Sequence, residues 1–442
     1  MSLTIQRPPE YYLEQLSLSR ETQNRLEELS CLSQLGNAYE KEFKFAKAVY
    51  YYQELLLISK KNQAKDWQEV ALYNIGNCKH QLYHFDESLK YFQQLLNLSL
   101  ETGNRTLQIS ALWGHGINYQ QQGLYQKAIE SFQNQLAISH EINQPLWQQS
   151  ALESLANVYQ LTGEYQKALE FQSRTLAIAD KTNDIEIIGN SYVNLCRIYA
   201  CLKEYRKSIA YGYKSLAIAR KINHVKLLML GFHNIAQAYK EIAEHKKAKR
   251  FFHNALKISQ KIGDKQVTSS TLQGLSDIYF HYKQVEKAIE YNFESLNFIH
   301  PTNNPVDAAN VLCRIASTYE FLDCDRQALE HYHKSLALLE KTEASEAEQQ
   351  VLFNLGSFYY RKEQYSQAAK CLQSALTKKN KHIPYQAKTN FYLAATLQKL
   401  HRYSEAIHFY QQAYNCYRLI GNDNQAQAVL VKIMAIQDRI RS

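Results

Sequence analysis

Residues 155–199 read LANVYQLTGEYQKALEFQSRTLAIADKTNDIEIIGNSYVNLCRIY, and the stretch contains its own copy. Leu155-Ala156…Tyr159 returns as Leu195-Cys196…Tyr199, 40 positions on. The same L-G-x-x-Y phase extends in both directions. Upstream it reads Leu35-Gly36…Tyr39, Ile75-Gly76 and Gly116…Tyr119. Downstream it reads Ile235-Ala236…Tyr239, Leu275-Ser276…Tyr279, Ile315-Ala316…Tyr319 and Leu355-Gly356…Tyr359. A tenth copy, Leu393-Ala394…Leu397, comes two positions early. A small residue lies 12 positions beyond each Gly position: Ala48, Ser88, Ala128, Ala168, Ser208, Ala248, Ala288, Ala328, Ala368 and Ala406. Self-similarity at a fixed period of this length marks a repeat architecture.

Within a repeat the apolar spacing is helical. Ala128, Ile129, Phe132, Leu136 and Ile138 recur near i, i+3 and i+4. Two such stretches per repeat predict a helix pair. Small residues at the Gly36 and Ala48 positions let two helices approach closely, and the Tyr and Phe anchors fill the volume between repeats. The breakers keep the same register. Pro145, Pro301, Pro305 and Pro384, with Gly103, Gly263 and Gly421, fall between one repeat's second helix and the next repeat's first. The strings ETGN, EINQ, KTND and KIGD read as a helix stop followed by an N-cap.

Composition agrees. Of 442 residues 45% are hydrophobic, enough for a large core, while 14 Gly and 6 Pro are too few for a turn-rich all-β chain. No apolar run approaches the roughly 20 residues that span a bilayer, and MSLTIQRPPEYY lacks a signal-peptide core. The expectation is a soluble, cytoplasmic protein without membrane insertion. The 8 Cys form no C-x-x-C pair, which points to reduced thiols rather than a disulfide or zinc scaffold. The net charge of +9 is concentrated in residues 201–300, with 17 Lys+Arg against 8 Asp+Glu. An acidic partner is one reading of that segment; a solvated helix face is the other.

Small residues, aromatics and a two-helix period resemble the tetratricopeptide repeat (TPR). The longer unit, with Tyr165-x-Lys167-Ala168-Leu169-Glu170 and Leu176-Ala177-Ile178-Ala179, is similar to the arrays of LGN/Pins-type and kinesin light chain-type adaptors. The resemblance implies an all-α, right-handed superhelix acting as a binding scaffold. Residues 1–442 are expected to form a single solenoid domain. It would comprise a half repeat at 10–28, ten repeats over 29–420 and a capping helix with a polar outer face at 421–442.

In such arrays the first helix of each pair lines the concave groove. Register then names the candidates. One position after the Gly stand Asn37, Asn77, Asn157, Arg197, Gln237 and Asp277. One position before the Leu stand Asn74, Asn194, Asn234, Arg314 and Asn354. An Asn amide both donates and accepts, so a ladder of them suits the backbone of a bound peptide. Tyr73, Trp113 and Phe353 are the aromatic candidates for anchoring a partner's apolar side chains. The co-chaperone clamp that grips a terminal carboxylate is not matched: its Lys and Arg positions hold Ser33, Ser110 and Gly114.

Other signals are weaker. Cys78, His80 and His84 cluster on one predicted helix, with His80 and His84 at i, i+4, but without a third ligand. HKKAKRFFH, His245–His253, is basic with two aromatics, which the register places in the core. Lys378-Lys379-Asn380-Lys381 falls in a loop. No P-loop, dinucleotide fingerprint or nucleophile elbow is present. The expected function is non-enzymatic and cofactor-free: a scaffold binding an extended or helical, even acidic, peptide segment of another protein. An assembly factor and a peptide-sensing regulator are the alternatives. Nucleic acid is disfavoured as a partner, and no motif specifies an oligomeric state.

Overall fold

The computed structural model describes residues 7–301, 304–340, 342, 345–377 and 383–441. The Lys378–Lys381 run lies outside the described residues. Among them are 22 α-helices and no strand. By contact the chain divides into two compact units, Met1–Asn223 and His224–Ser442. The first holds α1 (Pro9–Glu21), α2 (Arg25–Lys41), α3 (Phe45–Lys61), α4 (Lys65–Gln81), α5 (Phe85–Thr102), α6 (Arg105–Gln121), α7 (Tyr125–Glu141), α8 (Pro145–Leu161), α9 (Tyr165–Thr182), α10 (Ile185–Cys201) and α11 (Tyr205–Lys221). The second holds α12 (Val225–Glu241), α13 (His245–Ile262), α14 (Lys265–His281), α15 (Val285–Leu296), α16 (Pro305–Phe321), α17 (Asp325–Leu339), α18 (Ser345–Arg361), α19 (Tyr365–Thr377), α20 (Ile383–Lys399), α21 (Tyr403–Leu419) and α22 (Asp423–Arg441). The even helices α2 to α20 carry the L-G-x-x-Y phase and are the A helices. The odd helices α3 to α21 carry the small anchor and are the B helices. Each unit is an all-α solenoid of helical repeats.

The turns explain the helix lengths. A residue with positive φ recurs every 20 positions, at Gln23, Phe43, Gln63, Tyr83, Gly103 and Gly123 and on through Ala243, Gly263 and Lys283. Around Gly123, Leu124 N donates to Tyr119 O at 2.8 Å and Gly123 N to Gln120 O at 3.1 Å. That pair satisfies the last carbonyls of α6 in the Schellman manner. Asn24, Asn104, Asp184 and Asp264 accept from the backbone N–H three residues on and cap A helices. Gln144 does not, contrary to the EINQ reading; Pro145 opens α8 instead, where its missing N–H is harmless. Pro305 and Pro384 likewise sit in the first turn of A helices rather than between helices.

The core is a ring-into-gap packing. Tyr52, Phe92, Phe132 and Phe252 of B helices are fully buried. They fill space left by A-helix glycines: a Cβ on Gly36 would meet Tyr52 at 2.4 Å, and one on Gly116 would meet Phe132 at 2.3 Å. Phe92 lies against both Gly76 and Gly114. Where an anchor is Ser, its hydroxyl bonds the facing carbonyl: Ser88 to Gly76 at 2.7 Å and Ser208 to Cys196 at 2.8 Å. The motif tyrosine stacks on the residue 12 positions later, as in Tyr39–Tyr51, Tyr159–Phe171, Tyr199–Tyr211 and Tyr279–Tyr291. Lys47, Lys127, Lys167, Lys207, Lys247 and Lys287 each lie 5.1–5.6 Å over that tyrosine, a cation–π contact.

The last helix departs from expectation. α22 buries Ala426, Val429, Ile433 and Ile436, but its outer face shows Val431 and Met434 more than half exposed. The 3.6-residue period alone cannot tell an inner from an outer apolar position when both stripes are mixed.

Two substitutions test this packing. Gly116→Ala is expected to lose about 1–3 kcal/mol, because its methyl group overlaps a buried ring; Phe132→Leu in the same chain restores part of it. Ala243→Gly is expected to gain up to about 1 kcal/mol by relieving a left-handed residue. Urea unfolding followed by circular dichroism reads both.

Candidate ligand-binding face of the A helices

Among the described residues, A helices of neighbouring repeats touch in both units, α4 with α6 and α12 with α14 among them, and no pair of B helices comes as close as these. The A helices therefore line the inner face of each unit's stack. Side chains just before the Leu and just after the Gly look out from that face, half-covered by the next repeat.

In the first unit, Asn37, Asn74 and Asn77 line a cleft of about 550 Å3 with Tyr73, Glu40 and Lys41. Tyr52 Oη donates to Asn37 Oδ1 at 2.7 Å and approaches Glu40 Oε2 at 3.2 Å. Burial pushes the Glu40 carboxyl above its ordinary range, and the Tyr52 hydroxyl opposes that. A second cleft of about 420 Å3 brings together Trp113, Asn157, Asn194 and Arg197 with Glu153 and Gln160. Asn194 Nδ2 donates to Glu153 Oε1 at 3.0 Å, and Arg197 Nη2 to Gln160 Oε1 at 3.1 Å. Crowding by the cleft walls raises the pKa of Glu153, whose side chain is still exposed at the cleft mouth; the Asn194 amide opposes the rise.

In the second unit, Arg314 and Asn354 share a cleft of about 390 Å3 with Asp277, Asn310 and Gln350. Asp277 joins three repeats: Lys240 Nζ meets its Oδ2 at 2.9 Å and the Arg314 guanidinium pairs with its Oδ1. Arg314 also donates to Gln273 O at 3.1 Å. Asn354 Nδ2 donates to Cys313 Sγ at 3.2 Å, a weak acceptor. Burial pushes that thiol up to about 11, so it stays protonated.

The expected ladder is thus heterogeneous. Asn37, Asn194, Arg197, Arg314 and Asn354 are tied to neighbours. Among the described residues, Asn74, Asn77, Asn157 and Gln237 make no side-chain hydrogen bond within the protein. Asn234 and Gln237, on α12, line none of these clefts, and Asn234 Nδ2 is buried without a protein partner. Register reasoning missed Glu153, Gln160 and Lys240. The signal was complementary polar groups set nearly one repeat apart, as Glu153 is from Asn194 and Gln160 from Arg197.

Position bears on three other readings. Cys78 and His80 lie on α4, but that helix ends at Gln81 and Tyr83 turns the chain, so His84 precedes α5 and does not share their helix. His80 Nδ1 instead meets Asn118 Oδ1 at 3.0 Å. Among the described residues no group of three or more His, Cys, Asp or Glu is placed to hold a metal ion. In the basic stretch of α13, Phe251 and Phe252 are buried while Lys246, Lys247 and Arg250 are exposed. No helix among the described residues is long and apolar enough to cross a membrane.

Comparison with known proteins places the fold. The tetratricopeptide repeat family profile matches residues 67–141 and 147–221, and the profile of the soluble NSF attachment protein (SNAP) matches 231–402. No curated protein matches the sequence. Among solved structures, the human IFIT1 dimer with m7Gppp-AAAA is 15% identical, covers 92% of this chain and 90% of its own, and has a TM-score of 0.56. The apo quorum sensor NprR of B. thuringiensis is 15% identical over 77% of this chain and 98% of its own, TM-score 0.52. A signal-transduction ATPase with a tetratricopeptide repeat sensor, from Pyrococcus horikoshii, is 18% identical over 79% of this chain, TM-score 0.53; the chain spans 52% of that protein. At such identities the likeness is one of fold. The chain belongs to the TPR superfamily.

Glu153 gives a pH test. Its folded pKa is raised above the unfolded value of about 4.3. Its contribution is therefore fully present below that value and lost as pH rises through the folded pKa. Glu153→Gln keeps an acceptor for Asn194 and removes the charge. The variant should melt above wild type at pH 7.5 and together with it at pH 4, by differential scanning fluorimetry.

Proposed function

We propose that the chain is a non-enzymatic interaction protein that holds a segment of another protein against its A helices. The observation that carries this reading is the free amides. Asn74, Asn77 and Asn157 stand in open clefts, each with donor and acceptor unspent. A folded chain gains nothing from holding Asn in a helix at such positions, since Asn is a poor helix former. A peptide backbone would satisfy both ends of the amide whatever its side chains. Trp113 and Tyr73 beside these amides offer apolar contact, and a few such anchors dominate an interface. Adaptor or scaffold is the role that follows, in the cytoplasm, where eight free thiols stay reduced.

A regulatory role is the second reading. Two proteins of similar fold are described as sensors, the B. thuringiensis quorum sensor and the archaeal ATPase. A sensor would change its dimensions when peptide is added; a plain scaffold would not. Small-angle scattering with and without a bound peptide separates the two.

The amide reading is tested by selecting a displayed library of random 16-residue peptides on the full chain. The binders are then titrated against wild type and the double variant Asn77→Ala/Asn157→Ala. Neither side chain has an intramolecular bond, so the melting temperature should hold. Two lost hydrogen bonds, at about 0.5–1.5 kcal/mol each, should weaken binding about tenfold. Equal affinity for both proteins would sink the amide face as the site.

A further inference from the structure

One cleft of the second unit is built unlike the rest of its A-helix face. It has a volume of about 550 Å3 and is walled by Phe280, Phe321, Phe353 and Tyr392. Two of these rings face solvent: Phe280 is 39% exposed and Phe321 57%. They meet edge to face with centroids 5.1 Å apart, and Phe353 and Tyr392 do so at 5.5 Å.

The repeats supply an internal control. The position of Phe280 is polar in six of the eight other copies spaced by 40, Glu40, His80, Gln120 and Lys240 among them; Ala200 and Tyr360 are the exceptions. That of Phe321 is polar in six of the eight, Lys41, Gln81, Gln121 and Arg361 among them; Leu161 and Cys201 are the exceptions. Polar side chains satisfy the fold there, so the solenoid does not require these two rings. The floor departs as well. Ser317 and Ser357 stand where other copies carry Asn37, Asn77, Asn157 and Arg197. Shorter side chains on adjacent A helices open the space that the rings enclose.

The polar groups describe the occupant. Ser357 is 4% exposed, lines the cleft and has an Oγ without a protein hydrogen-bond partner. A buried hydroxyl left so is costly. Asn354 Nδ2 is held by a thiol sulfur, which a carbonyl oxygen would replace at a gain. The rim charges are already matched within the protein. Arg361 pairs with Glu320, and Lys362 lies 3.1 Å from Asp323 and 2.8 Å from Asp325. A charged occupant would find no free counter-ion, so the complement of this cleft is neutral.

We infer that this cleft is an anchor subsite for one tryptophan or tyrosine in an uncharged stretch of the partner segment. The inference rests on the proposed peptide-binding role and adds what the segment must carry. The ring would slot among the four aromatics, where edge and offset contacts add to area burial. Its N–H or O–H would serve Ser357, and its backbone carbonyl would take the amide of Asn354. A volume near 550 Å3 holds the ring with its flanking backbone.

A second selection of random 16-residue peptides, on the full chain carrying Asn77→Ala/Asn157→Ala, provides the test, measured by fluorescence anisotropy. Expected is a shared Trp or Tyr in a neutral stretch whose replacement by Ala weakens binding at least tenfold. Phe321→Ser should weaken the parent peptide as much, and the Ala peptide hardly further. Phe321 is more than half exposed, so this variant should keep the wild-type melting temperature; Phe321→Leu should recover part of the affinity. Binders without a common aromatic, binders anchored by a charged residue, or affinity within twofold after Phe321→Ser would each overturn the subsite. If the anchor fails while binders of the first selection still lose affinity in Asn77→Ala/Asn157→Ala, the amide face stands and only the anchor falls. If no peptide is selected, both fall.

Discussion

How near two helices of a repeat can come is set by the ring placed between them. Phe92 is the clearest case: it lies between Gly76 and Gly114, where a methyl group would sit 2.9 Å and 2.3 Å from ring carbons. Interiors are packed to crystal density, so such a gap admits one shape of filler. Repeats without the ring compensate on the other helix. Where the B helix offers Gln172, Gly212 or Asn292, the A helix carries Ala156, Cys196 or Ser276 in place of Gly. In these three pairs volume is traded across the helices; Phe252 with Ala236 and Tyr332 with Ala316 show that a ring also fits where the A helix carries Ala. How closely helices approach bears in turn on which side chains can bridge from one repeat to the next.

The same economy governs charge. A lysine two positions after the start of most B helices looks like surface solubility in the sequence. In the structure it lies over the motif tyrosine, which itself stacks on an aromatic of the B helix. Lysine, tyrosine and ring form a three-layer stack outside the ring-into-gap core. Part of the excess positive charge of residues 201–300 is accounted for in this way, through Lys207, Lys247 and Lys287. Lys246 remains exposed with no such neighbour among the described residues, while the Arg250 guanidinium lies 5.6 Å from the Phe251 ring.

Much of the fold was legible in the sequence, because a fixed period with breakers in phase admits few alternatives. Glycine against aromatic was legible with its reason, close approach of two helices; the lysine of the Tyr165-x-Lys167-Ala168 run was visible as a motif, but not that it lies over Tyr159. The candidate site was legible only by phase. Positions flanking Leu-Gly identify which residues look out from an A helix, but not which are occupied. Asn194 and Asn157 look alike in the sequence; one is held by Glu153 of the preceding repeat, and the other is free. That difference exists only once the repeats stack. Phe280 and Phe321 passed unnoticed because the chain is rich in aromatics throughout. Their signal was the polar company they keep in register, which appears on comparing copies rather than reading along one. His84 was misplaced because one turn residue, Tyr83, falls inside an otherwise continuous helical pattern.

The turns carry a further consequence. From α1 to α15, those that lead from A to B and from B to A each place one residue in the left-handed region, at intervals of 20 positions. The backbone therefore counts single helices, while the side chains count pairs. Removing or duplicating a whole helix pair within that run rejoins two turns of one kind and two matching packing surfaces. Unequal crossing-over between copies can therefore lengthen or shorten such a gene in steps of one pair, changing how much partner it can grip without a new loop having to arise.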